Sequence, residues 1–131
     1  MPAAPILQEA REQALRATQS APSAADAWWV LAETELRLAR SAPPTSRAHQ
    51  IAQGLAAVEK LFVINPNHAR GWATHGSLVL LRAQSETGET AVRASAEAAA
   101  QSLARAVASD AFLAQDLAPL RAQAQRLSHR P

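Results

Sequence analysis

The amino-acid sequence predicts an all-α protein, a short α-solenoid of about six helices packed as antiparallel pairs. Two observations predict this fold class. Alanine, the best helix former, supplies 33 of the 131 residues, whereas Val, Ile and Thr, which favour strands, together supply 15. The chain also repeats itself, because the segments 20–36 and 64–80 align with Trp28 and Trp72 at equivalent positions, 44 residues apart.

Apolar periodicity and helix-ending residues place the six helices in order along the chain. Residues of the N-cap type stand where three of the helices have just ended, at Ser23, Asn67 and Asp110. The polar stretches APPTS (42–46) and SETGET (85–90) form the two remaining turns. The predicted helices span residues 5–20, 25–41, 45–64, 68–84, 90–109 and 113–128.

The alignment of the repeats also predicts where paired helices approach each other closely. Of eight such positions, seven hold small residues: Ala10, Ala17, Ala32, Gly54, Gly76, Ala99 and Ala106. Leu61 is the exception. Trp28 is expected in the core, because its repeat position is shared with Trp72 and Leu117. Trp29 then points about 100° away around the helix.

The repeats organise the chain as a single domain over residues 1–131. Its parts are a half-repeat (5–22), two repeats (23–66 and 67–111) and a capping helix (112–128). The sequence contains no cysteine, and its first residues lack the basic and apolar segments of a signal peptide. No apolar run approaches the roughly 20 residues that span a bilayer. We therefore expect a soluble cytoplasmic protein without a membrane partner.

The charge balance argues against a nucleic-acid partner. Thirteen Lys and Arg against eleven Asp and Glu give a net charge of only +2, so the pI near 10.4 reflects the scarcity of groups that titrate at intermediate pH. The arginines are interleaved with acids along the chain instead of forming a phosphate-binding stripe. A flat salt titration against generic DNA or RNA would remove the nucleic-acid hypothesis.

The repeat pattern resembles a known family. Trp28, Leu31 and Ala32, together with the segment AVEKLFVINPNHARGW (57–72), resemble the tetratricopeptide repeat over most of the chain. The unit here is 44 to 45 residues long, against about 34 in the usual repeat, which implies longer helices and a longer turn within each unit. The sequence also bears a weaker resemblance to the helical C-terminal regions of large bacterial serine/threonine kinases, without a kinase motif of its own.

The histidines offer little for metal chemistry. His68 and His75 share one helical face, but a zinc site needs three or four ligands, and no nearby carboxylate or thiol completes one. We expect His68 to lie in the first turn of its helix. His75 is expected to fill a leucine-like position with one ring nitrogen hydrogen-bonded. The sequence therefore predicts no metal site.

Catalytic patterns are equally weak. Ser77 lies near His75, but no strand-to-helix elbow or oxyanion loop accompanies it. Glu33 and Glu35 point to different sides of one helix and do not form an acid–base pair. Other charges, such as Glu97 and Arg105, are interpreted as solvated helix faces. No glycine-rich nucleotide loop is present. The sequence predicts neither an enzyme nor a cofactor.

What the resemblance implies is a binding surface. In stacked helix pairs, the first helix of each repeat lines a concave groove that binds extended or helical peptides. The positions carried over from the family are Asp26, Trp29, Glu33 and Leu36, then Arg70, Ala73, Ser77 and Leu80, and finally Gln115, Ala118 and Ala122. A partly exposed Trp29 would be a binding hot spot. The alternative is that Trp29 packs under the connector 42–46.

These observations predict a non-catalytic protein-interaction module, either a monomer or a weak dimer. The groove lacks the Lys and Asn residues of the family's clamp for acidic C-termini, so an apolar or helical segment suits it better. Such a segment would come from a protein or peptide partner, or from another domain of the same polypeptide. The alternative function is a structural or oligomerisation segment of a larger bacterial protein, such as a signalling kinase, with no free ligand groove.

Overall fold

The computed structural model describes residues 4–129, and all regular secondary structure in this range is helical. The predicted all-α class with six α-helices is therefore confirmed. None of the described helices is long and apolar enough to cross a membrane. The helices are α1 (Ala4–Ser20), α2 (Ala25–Ser41), α3 (Pro44–Ile64), α4 (Ala69–Ser85), α5 (Glu89–Ser109) and α6 (Ala114–Ser128), with a 3-10 turn at Ala111–Leu113.

Every predicted start and end of a helix lies within one residue of the observed one. Local chemistry explains this agreement. Proline opens α3 at its first position, where its missing N–H costs nothing, and α3 ends just before Asn65 and Pro66. The 3-10 turn before α6 is the one helical feature of the described chain that the sequence pattern did not predict.

Only one of the three predicted N-caps is confirmed. Asp110 caps the 3-10 turn, since its Oδ1 accepts a hydrogen bond from the backbone N–H of Phe112 at 3.0 Å. Asn67 is not the cap of α4: that position is held by His68, whose Nδ1 accepts from the N–H of Gly71 at 2.9 Å. The prediction at Ser23 is also wrong, because α2 begins after Ala24, which has no side-chain acceptor.

The chain divides into two compact units, Met1–Pro66 and Asn67–Pro131. In the first unit α2 packs against both α1 and α3, and in the second α5 packs against both α4 and α6. Helices α4 and α6 also contact each other. The division coincides with the boundary between the repeats 23–66 and 67–111.

The core of the first unit is mostly apolar, and its buried polar residues are Thr18, Thr34 and Glu35. Leu31, Ala32 and Leu36 of α2 are buried, as are Val58 and Leu61 of α3. Buried residues on α2 recur three or four positions apart, as a helix with one packed face requires. This face fixes which side of α2 remains accessible.

In the second unit, α4 and α5 meet at a glycine. Gly76 is buried, and a Cβ placed on it would lie 2.7 Å from both Cγ and Cδ2 of Leu103. Leu103, Ala99 and Ala106 of α5 are fully buried. The alignment correctly assigned Gly76, Ala99 and Ala106 to closely packed positions.

Two predictions about buried residues are wrong. Ala17 is exposed, because the buried face of α1 runs through Ala14 and Thr18 instead. Trp28 is only half-buried, and its indole N–H donates to the carbonyl of Pro22 at 2.9 Å, at the turn that precedes α2. Trp72, at the equivalent position, is also half-buried, so this repeat position does not always mark the core.

Candidate interaction surface

The predicted binding residues of the first unit lie along one face of α2. Asp26 is exposed, while Trp29 and Glu33 are half-buried. Leu36, one turn further on, is buried at 3% exposure and belongs to the core. Because one helical face turns from accessible to buried along its length, the accessible residues of this set lie in the first half of α2.

The predicted binding residues of the second unit lie on α4 and α6. On α4, Arg70 is exposed and Ala73 is half-buried, whereas Ser77 and Leu80 are buried. The Ser77 hydroxyl donates to the carbonyl of Ala73, its own helix backbone. Ser77 and Leu80 therefore contribute to the packed interior and not to an accessible surface. On α6 the three residues are accessible: Gln115 and Ala118 are exposed and Ala122 is half-buried.

Side chains of α4 and α5 form a stacked polar cluster around Trp72. The ring of Trp72 meets that of His75 edge-on, with centroids 5.7 Å apart, and the guanidinium carbon of Arg105 lies 4.1 Å from the Trp72 ring centroid. His75 Nδ1 and Ser102 Oγ are hydrogen-bonded at 2.8 Å. The expectation that His75 has a hydrogen-bonded ring nitrogen is confirmed. Arg105 is exposed, as expected from the sequence, and its guanidinium is also a cation–π partner of Trp72.

A second polar cluster connects the three helices of the first unit, and sequence reasoning missed it. Arg11 Nε lies 3.0 Å from both carboxylate oxygens of Glu35, and another guanidinium nitrogen donates to Gln53 Oε1 at 3.0 Å. Gln53 in turn bonds His49 on α3. A signal was present, because Glu35 lies within the apolar stripe of α2 between the buried Ala32 and Leu36.

A cleft lies between the C-terminal ends of α4 and α6. It has a volume of about 330 Å³ and is lined by Gln84, Gln123, Arg126 and Leu127. The side-chain amide of Gln84 donates to Gln123 Oε1 at 3.5 Å. Sequence reasoning missed this cleft, although Gln84 continues the 3–4 spacing of Arg70, Ala73, Ser77 and Leu80 along α4. One more helical turn of the predicted set would have reached it.

In residues 4–129 no group of three or more His, Cys, Asp or Glu side chains is placed to hold a metal ion. The hydroxyl of Ser102 that meets His75 is buried, with 5% of the residue exposed. A serine so enclosed is a hydrogen-bond partner in a packed interface, and a substrate would have no approach to it.

No protein-family model matches the chain, and no curated protein or solved structure matches it. The resemblance to the tetratricopeptide repeat therefore depends on the internal repeat and on the residues at its equivalent positions.

Proposed function

We propose that the chain is a non-catalytic protein-interaction module of the tetratricopeptide type, in which α2, α4 and α6 supply the residues that bind a peptide or a neighbouring domain. The proposal includes antiparallel pairing of consecutive helices, as in an α-solenoid. It depends on contacts within each unit, on the accessible part of the predicted binding set, and on the exposed position of Asp26 near Trp29.

Side-chain contacts within the second unit support antiparallel pairing of α4 and α5. Glu86, just after α4, accepts from the hydroxyl of Ser95 in the early part of α5. His75, about three turns earlier on α4, bonds Ser102, two turns later on α5. Contacts that move backward on one helix while they move forward on the next are the pattern of an antiparallel helix pair.

The first unit has the same pattern. Arg47, at the start of α3, donates to the backbone carbonyls of Ala39 and Ala42 at the end of α2. Farther from this turn, Glu35 on α2 and Gln53 on α3 are bridged by the single guanidinium of Arg11. These paired helices support a repeat in which the first helix of each unit presents one face for binding.

The observation that carries the proposal is Trp29 on the accessible half of α2. Tryptophan is enriched among the residues that dominate binding energy at protein interfaces, because its large ring buries much apolar area at a small entropic cost. Trp29 is half-buried on the same face as the carboxylates of Asp26 and Glu33. A half-buried tryptophan on a helix face suits a helical or extended segment with an apolar anchor.

One observation favours the second candidate function, a structural or oligomerisation segment. Leu36, Ser77 and Leu80 of the predicted binding set are buried. If the remaining accessible residues were covered by a second copy of the chain, no groove for a ligand would remain. Sedimentation over a range of concentrations would show such a dimer. Quenching of Trp29 fluorescence by iodide would then be reduced only in the dimer.

A matched pair of variants on α2 tests the proposal. Peptides are selected on the full chain from a displayed library, and their affinities are measured by isothermal titration. Trp29→Ala is expected to weaken binding by about tenfold or more, as truncation of a hot-spot tryptophan does. Val30→Ala is the control, because Val30 is the adjacent residue, is 45% exposed and lies outside the predicted set. The proposal fails if no peptide is enriched over an unrelated helical protein, or if both variants bind equally well.

A further inference from the structure

The cleft between the C-terminal ends of α4 and α6 has the chemistry of a site for a carboxylate. Arg126 supplies a guanidinium, Gln84 and Gln123 supply amides, and Leu127 supplies methyl groups. On α6, Gln123, Arg126 and Leu127 are three or four residues apart and therefore lie on one side of the helix. The site is thus built from two helices that pack against the same neighbour, α5.

The charge of Arg126 is not neutralised within the described part of the chain. No acidic residue between 4 and 129 forms an ion pair with Arg126, and no residue in that range forms a hydrogen bond with it. Residue 116 is the last acidic position of α6, about three turns before the cleft. An arginine in this setting offers its planar fork to an incoming carboxylate, which it binds with two parallel hydrogen bonds.

The amides define what else the ligand must carry. The side-chain amides of Gln84 and Gln123 share one hydrogen bond of 3.5 Å, in which Gln84 donates. The side-chain carbonyl of Gln84 and the side-chain NH₂ of Gln123 are left for other partners. A peptide backbone offers both a donor and an acceptor at each residue. A volume of about 330 Å³ is close to the lower end of ligand sites and suits a short part of a chain.

We propose that this cleft, which continues the predicted binding face of α4 by one turn, binds a peptide segment through an Asp or Glu side chain. The carboxylate pairs with Arg126, Gln84 and Gln123 bond the adjacent backbone, and Leu127 contacts an apolar neighbour in the peptide. This inference rests on the proposed function and deepens it, because it names a chemical requirement of the partner. The predicted binding set itself is nearly neutral, so the requirement for an acidic residue is specific to this cleft.

Two capped peptides test this site by nuclear magnetic resonance. The probe is acetyl-Ala-Leu-Glu-Leu-Ala-amide, which carries a side-chain carboxylate and no terminal one, and its control replaces Glu with Gln. Titration of the labelled full chain is expected to shift the side-chain amide signals of Gln84 and Gln123 and the Nε–H signal of Arg126. The Gln peptide is expected to bind about tenfold more weakly, the usual loss for a charge-assisted hydrogen bond.

Matched arginine variants complete the test. Arg126→Gln is expected to reduce affinity for the Glu peptide about tenfold, whereas Arg82→Gln, an exposed arginine near the end of α4 that does not line the cleft, leaves it unchanged. Circular dichroism verifies that both variants fold. Equal affinity for the two peptides, full affinity in Arg126→Gln, or shifts confined to other residues would overturn the proposal, as would the absence of binding. Any of these results leaves the outcome of the Trp29→Ala comparison standing, so the two proposals fail separately.

Discussion

At the scale of single residues, Gly76 sets the distance between α4 and α5. Its missing side chain leaves space for Leu103. A Cβ on residue 76 would lie only 2.7 Å from Cγ and Cδ2 of Leu103 and 3.2 Å from the backbone N of Leu103. The end of the Leu103 side chain can move away from such a Cβ, but the backbone N of Leu103 cannot move easily, so the close contact with this atom would remain. A small residue at this position is therefore a packing requirement.

Gly76→Ala is expected to destabilise the protein by about 1 kcal/mol. The overpacking of about 1–3 kcal/mol exceeds the roughly 1 kcal/mol that alanine gains over glycine within a helix. Urea unfolding followed by circular dichroism measures the change. In a Leu103→Ala background the same substitution should cost less or become stabilising, because the crowded side chain is gone.

Gly88→Ala is the control for Gly76→Ala. Gly88 is the N-cap of α5, has an ordinary negative φ of −89°, and would place a Cβ in open space. Its effect should be limited to a small loss at the cap. If Gly76→Ala is as well tolerated as Gly88→Ala in the wild-type background, the close packing of α4 on α5 is refuted.

Residue-scale features were predictable only where the repeat itself determines them. The small residues Gly76 and Ala99 were found by alignment, because both copies of the repeat need close packing there. Trp28 was misplaced, since helix periodicity does not reveal the hydrogen bond from its indole N–H to the Pro22 carbonyl, although Pro66 and Trp72 repeat the same spacing. Arg105 is exposed as expected, but its stacking on Trp72 was not predicted, because this contact joins two helices that the sequence pattern cannot align in detail.

At the scale of elements, the limits of the helices were almost fully predictable, but the polar contacts that connect them were not. Helix limits depend on local signals such as Pro44 and the apolar period, which the sequence displays directly. The cluster of Arg11, Glu35 and Gln53 brings together one residue from each of α1, α2 and α3. Such contacts depend on how the three helices are rotated about their axes, and helix periodicity alone does not fix this.

Arg11→Ala is expected to destabilise the first unit by about 3 kcal/mol. The Glu35 side chain is 2% exposed, so loss of its partner leaves a buried carboxylate without a counter-charge. The figure is at the low end of the usual range, because the Arg11 side chain is 25% exposed and water can partly replace it. Chemical denaturation of the full chain measures the effect.

Arg16→Ala is the matched control on the same helix. Arg16 pairs with Glu12 at 3.8 Å, and both side chains are largely exposed, so its removal should change stability by less than about 0.5 kcal/mol. The double variant Arg11→Met with Glu35→Leu should recover most of the stability that Arg11→Ala loses, because neither charge is then buried. Equal effects of Arg11→Ala and Arg16→Ala would show that the buried pair does not form.

At the scale of the whole molecule, the internal repeat coincides with the division of the chain into compact units. The break between Pro66 and Asn67 is also the end of the first complete repeat. Each unit holds three helices that pack consecutively, one complete repeat and one further helix, which is α1 before the repeat in the first unit and α6 after it in the second. The repeat thus accounts for the number, order and limits of the helices, and it places the proposed binding residues on α2, α4 and α6.

The central claim, that the repeat defines the structural units, is tested most directly by two fragments of equal length. Residues 67–131 contain one complete unit, whereas residues 45–109 contain α3 without α2 and α5 without α6. Domains of this size are close to the limit of independent folding, so a fragment whose helices lack their packing partners is expected to lose much of its stability. Thermal unfolding followed by circular dichroism should show a helical, cooperative transition for 67–131 and a weaker, broader one for 45–109. A fragment 45–109 at least as cooperative as 67–131 would contradict the claim.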